Sequence, residues 1–142
     1  MKPSTIGKQI QQNLLALISL IVAISALSYT SWRNEISEDN RNHRAAGFEI
    51  MREAAHFQLL VDQATFSDSA QFDPIQGWVR VNLILSLSRL MSEEIQNRAA
   101  NLKLVWSENW SSIMEDKNSN RMVSESISQL VTSVSKHLER LK

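Results

Sequence analysis

His43, His56 and His137 are the only imidazoles in this sequence, and no cysteine accompanies them. Thiolate metal sites, disulfides and thiol catalysis are therefore excluded. The sharpest metal-type pattern is Glu53-x-x-His56, a spacing that contributes ligands on one helix face to di-iron centres in helical bundles. Such a centre needs a second copy and two further inward carboxylates. The sequence has no second copy, and Glu49, Arg52, Glu53 and His56 fall together on the polar side of their helix, so they read as a solvated face. Glu93 and Glu94 are adjacent and diverge by ~100° on a helix, which prevents them from converging as an acid/base pair. None of the serines stands in a nucleophile-elbow context, and three glycines cannot cradle a phosphate. No catalytic, cofactor or metal site is expected, and the chain does not read as an enzyme.

The elements that would position side chains follow from composition and periodicity. With 43% hydrophobic residues, 21% charged, three Gly and two Pro in 142 residues, the chain is turn-poor and favours helix. Fifteen basic residues balance fifteen acidic ones, so no net field gathers nucleic acid, and none is expected as a partner.

The strongest signal is near the N-terminus. Leu14 to Trp32 is a run of 19 residues without a charge; as a helix it spans ~28 Å, close to the hydrocarbon thickness of a bilayer. The competing reading is a cleaved signal peptide, with Ala26 and Ser28 small enough to flank a cut before Tyr29. A retained anchor is favoured because the run continues through Tyr29 and Trp32, an aromatic pair suited to a membrane interface. Lys2 and Lys8 precede the span without acids, whereas Arg33, Arg41 and Arg44 are mixed with Glu35, Glu38 and Asp39. The expected topology is N-terminus cytoplasmic and C-terminal domain extracytoplasmic, periplasmic in a bacterium. Ala16, Ser19, Ala23, Ala26 and Thr30 recur at spacings of 3, 4, 3 and 4, a small-residue face on which a second helix packs closely.

Beyond a tail (1–13) and the anchor (14–32), residues 33–44 read as a polar stalk or helix extension and 45–142 as a helical bundle. Three helices are expected there. The first, Ser31 to Phe66, carries the stripe Ile50, Ala54, Phe57, Val61 and Ala64. After a loop over Ser67 to Gln71, Asp73, Pro74 and Gln76 occupy N-cap, first-turn and capping-box positions, and Gly77 permits close packing. The second helix is expected to continue to about Glu115, a ~60 Å rod, because apolar residues keep 3 and 4 spacing from Ile84 to Ile113. Asp116 to Arg121 reads as a connection, and Val123, Ile127, Leu130, Val134, Leu138 and Leu141 mark a third helix, poor in strong helix formers and dependent on docking.

The fold expectation is therefore all-α, with a single N-terminal transmembrane helix followed by an antiparallel three-helix bundle. Trp106 and Trp110, one turn apart, join Trp32 as interface aromatics if the second helix returns to the bilayer; otherwise both fill the core. An anchor followed by amphipathic helices resembles the outline of membrane-proximal helical-bundle sensor domains and of inner-membrane spanins, at the level of architecture alone. Two functions fit: an interaction or assembly module that binds the bilayer and another envelope protein or itself, or a bundle that senses a ligand and signals through a partner's span.

Overall fold

The computed structural model describes the backbone of residues 4–67 and 72–141, and side chains from residue 13 onward. Most of the expected 67–71 loop, the first residues of the tail and Lys142 lie outside the described residues. The chain is all-α, with α1 (Ser4–Phe66), α2 (Pro74–Ser88), α3 (Glu93–Asn109) and α4 (Lys117–Arg140), and no strand among the described residues. It divides into two compact units, one ending at Asp39 and the other beginning at Asn40.

In the first unit α1 is helical throughout. Residues 33–44, expected as a polar stalk or a helix extension, have helical backbone. No Gly or Pro interrupts residues 8–46, and adding residues to a nucleated helix is nearly free. Among the described residues one helix, near the N-terminus, is long and apolar enough to cross a membrane. Its large side chains from Leu14 to Trp32 are 51–74% exposed. Thr30 donates its hydroxyl back to the Ala26 carbonyl at 2.9 Å, so this polar group is satisfied inside the helix.

The second unit is a four-helix antiparallel bundle, where three helices were expected. Arg80 of α2 reaches Glu53 of α1, and Gly77 of α2 lies against Trp106 of α3. Along α3 and α4, Glu94 pairs with Ser133, Arg98 with Gln129 and Asn101 with Ser126; as one number rises the other falls. Gln58 with Ser124, Met51 with Ser135 and His43 with His137 give the same inverse order for α1 and α4. The order is thus up-down-up-down.

The expected 74–115 rod is broken at Arg89–Ser92. There the backbone tightens into i→i−3 bonds, from Arg89 to Ser86, Leu90 to Leu87 and Met91 to Ser88. The Ser86 and Ser88 hydroxyls also bond back to the Asn82 and Leu85 carbonyls. Ser92 then leaves helical geometry as the N-cap of α3, with Glu93 and Glu94 in the first turn where the helix dipole favours acids. The apolar stripe survives the turn because Ile84, Met91 and Ile95 all enter one core.

The other boundaries follow local chemistry. Asp73 caps α2 by accepting from the Ile75 N–H at 2.9 Å, and Pro74 stands in its first turn. Asp116 caps α4 through the Asn118 N–H, so the expected connection to Arg121 is already helix. The buried side of α4 includes Ser119, Asn120, Ser126 and Ser133. Asn120 meets the Val61 carbonyl, Asp62 and Thr65 at 3.1–3.3 Å, which compensates for burying its amide.

Candidate functional site

Ala16, Ser19, Ala23, Ala26 and Thr30 all lie on the continuous helix α1 and are exposed. Trp32 is exposed and sits 6.2 Å from the Tyr29 ring.

The other two expected aromatics have different fates. Trp106 is fully buried, edge-on to Phe57, Phe72 and Trp78 with centroids 5.1–6.5 Å away. It is core, not an interface anchor. Trp110 remains 37% exposed. The idea that these indoles return to the start of the bundle fails because α2 and α3 form a hairpin. Trp106 packs against Gly77, near the N-terminus of α2, at the end of the bundle opposite Asn40. A Cβ on Gly77 would come within 2.3 Å of Trp106 Cζ2, so the glycine creates the space for the indole. Among the described residues, Trp106 Nε1 has no hydrogen-bond partner.

Glu53 departs from its expected place on a solvated face. It is 8% exposed, and its Oε2 accepts from Arg80 Nη1 at 2.7 Å. His56 stays outside, half exposed, with Nδ1 3.7 Å from Glu53 Oε1 and 3.4 Å from Arg80 Nη1. The missed clue was Arg80, the only charge in the fifteen residues of α2. Grooves of about 150 Å³ and 320 Å³ flank the Arg80 guanidinium, the first against Leu59 and Gln63 and the second against Ile75, Val79 and Leu83. Among the described residues no group of three or more His, Asp or Glu could hold a metal ion.

Turning Arg80 inward leaves the outer face of α2 apolar. Ile75 is 68% exposed, Val79 59%, Leu83 39% and Leu90, just past the helix, 58%. Between Leu90, Leu87, Ala45 and Ala46 an open groove of about 500 Å³ continues toward Asn42. Helix α1 presents Phe48, Leu59 and Phe66 to solvent as well.

At the Asn40 end, His43 of α1 meets His137 of α4, with centroids 5.4 Å apart. Burial pushes the His137 pKa down, and neighbouring His43 and Arg140 push the same way against the opposing field of Glu94. No protein-family model, no curated protein and no solved structure matches this chain.

Proposed function

We propose that this chain is a membrane-anchored helical assembly module that associates with another membrane or envelope protein, or with a second copy of itself. In this reading Leu14 to Trp32 crosses the bilayer, the N-terminus is cytoplasmic and the bundle is extracytoplasmic. The observation that carries it is the exposed apolar face of α2, Ile75, Val79, Leu83 and Leu90, which stands opposite the residues that α2 gives to the core, Val81 and Ile84. Contiguous exposed apolar surface of this kind marks interaction sites. No cofactor, nucleic acid or catalytic step enters the reading.

The test is site-specific photocrosslinking in the full-length protein in its native membrane. A crosslinker at Val79 or Leu83 should trap a discrete partner band, and one at Glu108, on the exposed polar side of α3, should not. Equal, diffuse labelling from all three positions would overturn the assignment.

A second reading is supported by the part-buried Glu53–Arg80 pair between its two grooves, which places a few polar groups beside apolar walls as small-molecule sites do. Under that reading the module senses a ligand and signals through a partner's span. Loss of the Val79 crosslink on adding a small amphiphile, with no change in the amount of bundle folded, would favour it.

A further inference from the structure

We propose that His43 and His137 form a two-imidazole site for a borderline divalent transition metal, of the zinc class, that clamps α1 to α4 at the Asn40 end of the bundle. His43 Nδ1 and His137 Nε2 face each other 3.5 Å apart. That is long for an N–H···N hydrogen bond, for which nitrogen donors prefer ~2.7–3.2 Å. It is close to the separation of two imidazole ligands on one metal, since Zn–N bonds of ~2.0–2.1 Å in tetrahedral geometry place the nitrogens ~3.3–3.4 Å apart. A movement of a few tenths of an ångström would therefore complete the bite.

The two helices hold the rings in place on both sides. Gly47 lets α1 approach Leu138 so closely that a Cβ there would lie 2.8 Å from Leu138 Cδ2. Arg44 donates to the Leu141 carbonyl one residue from His43. Ligands on rigid elements keep their geometry better than ligands on loops.

The charges around the pair are mixed. Arg140 opposes a cation, whereas Glu94 of α3 favours one. Glu94 accepts from Ser133 Oγ at 3.0 Å, one turn of α4 before His137. Water fills the remaining metal positions, because no third protein ligand stands ready among the described residues. The site is thus weaker than a structural zinc centre with four protein ligands. It also favours imidazole-binding metals over Mg²⁺, which takes oxygen ligands. Occupancy would tie together two segments 94 residues apart in the sequence.

The experiment uses the full chain without an affinity tag, purified with a chelator in detergent micelles and then titrated with Zn²⁺ or Mg²⁺. Zn²⁺ should raise the thermal midpoint of the bundle and shift the imidazole NMR signals of His43 and His137, with His56 unmoved and Mg²⁺ without effect. His137→Ala and His43→Ala should each abolish the Zn²⁺-dependent rise, while His56→Ala keeps it. The NMR arm reads the wild-type protein, so the proposal stays testable if a variant folds poorly. Unmoved His43 and His137 signals, or an undiminished rise in His137→Ala, would overturn it.

Discussion

Two stretches of this chain are rich in the same apolar residue types and differ in what can cover them. From Leu14 to Trp32 the large side chains are exposed on every side of the helix. In α3 the residues Ile95, Ala99, Leu102 and Trp106 form one stripe, 0–1% exposed, and the rest of the helix is mostly polar, with Leu104 in solvent. A helix apolar all round suits a lipid surround, where its internal hydrogen bonds leave no backbone group unsatisfied. A helix apolar on one stripe needs other helices. Helix α2 falls between these cases: Gly77, Val81, Ile84 and Ser88 are buried while Ile75, Val79 and Leu83 are not. Periodicity identifies a face, whereas the identity of its cover depends on the remaining faces.

The largest expected effect tests the buried stripe. Leu102 is fully buried, and Leu102→Asp places an unpaired charge in the core at a cost of about 4 kcal/mol or more. Against a total stability of ~5–15 kcal/mol this should remove the thermal transition of the bundle or lower it steeply. Leu104, two residues away and 56% exposed, is the control: Leu104→Asp should change stability by no more than about 0.5 kcal/mol. Calorimetry of the full chain in detergent would compare them. Equal midpoints would mean that α3 presents a different face to the core.

Next come Trp106 and Gly77. Trp106→Ala should cost about 3–5 kcal/mol by opening a cavity. Trp106→Phe should cost less, because Nε1 has no hydrogen bond among the described residues to give up and the ring keeps most of its volume. Gly77→Ala should cost about 1–3 kcal/mol by overpacking against the indole, and much of that cost should vanish in the Trp106→Phe background. Additive costs in this double-mutant cycle would show that the two positions do not compete for space.

These contacts show what the sequence made legible. Asp73 and Pro74 announce the start of α2 because a cap is local chemistry, and Trp106 lies on a stripe that also marks it as core. The hairpin at Arg89–Ser92 was hidden, since a tight turn carried Met91 and Ile95 into the same core as Ile84 and the 3 and 4 spacing never lapsed. Ser92 followed by Glu93 and Glu94 was the available helix-start signal. The burial of Glu53 was hidden for another reason: its partner Arg80 is 27 residues away, and only the fold brings the two together. The His43–His137 meeting, across 94 residues, is of the same kind.

The Glu53–Arg80 pair separates a structural charge from a surface one. Glu53→Gln leaves the guanidinium without its carboxylate. A fully buried pair would lose ~3–5 kcal/mol on losing one member, but Arg80 keeps 29% of its side chain in solvent, so about 1–2 kcal/mol is expected. Glu49→Gln, which removes the exposed pair with Arg52, should cost less than about 0.5 kcal/mol in chemical denaturation. Comparable losses would place Glu53 on the solvated face after all.

Within the apolar segment the equivalent test is association. In lipid, helices gain little from hydrophobic burial, so close approach across Ala16, Ser19, Ala23 and Ala26 would supply much of the attraction. Ala23→Leu should weaken pairing of labelled full-length copies in vesicles by about 1 kcal/mol, roughly fivefold, and Ile24→Leu should not. Equal energy transfer from all three proteins would make the small-residue face incidental and leave α2 as the surface to examine.

The smallest expected effect is a pH dependence at the His43–His137 end, measured with a chelator present. Burial, then His43 and Arg140, hold the His137 pKa below its ordinary 6.5, with Glu94 opposing. The folded protein therefore binds this proton less readily than the unfolded chain does. Its contribution to stability is fully present above pH 6.5 and is lost as pH falls from there through the folded value. The thermal midpoint of the full chain should drop on moving from pH 7.5 to 5.5. Other groups titrate in that window, so the diagnostic is the difference in slope between proteins. His137→Gln cannot take up the proton and should flatten the dependence. Parallel curves for wild type and His137→Gln would show that charging His137 costs nothing in the folded bundle, and that water rather than α1 surrounds its ring.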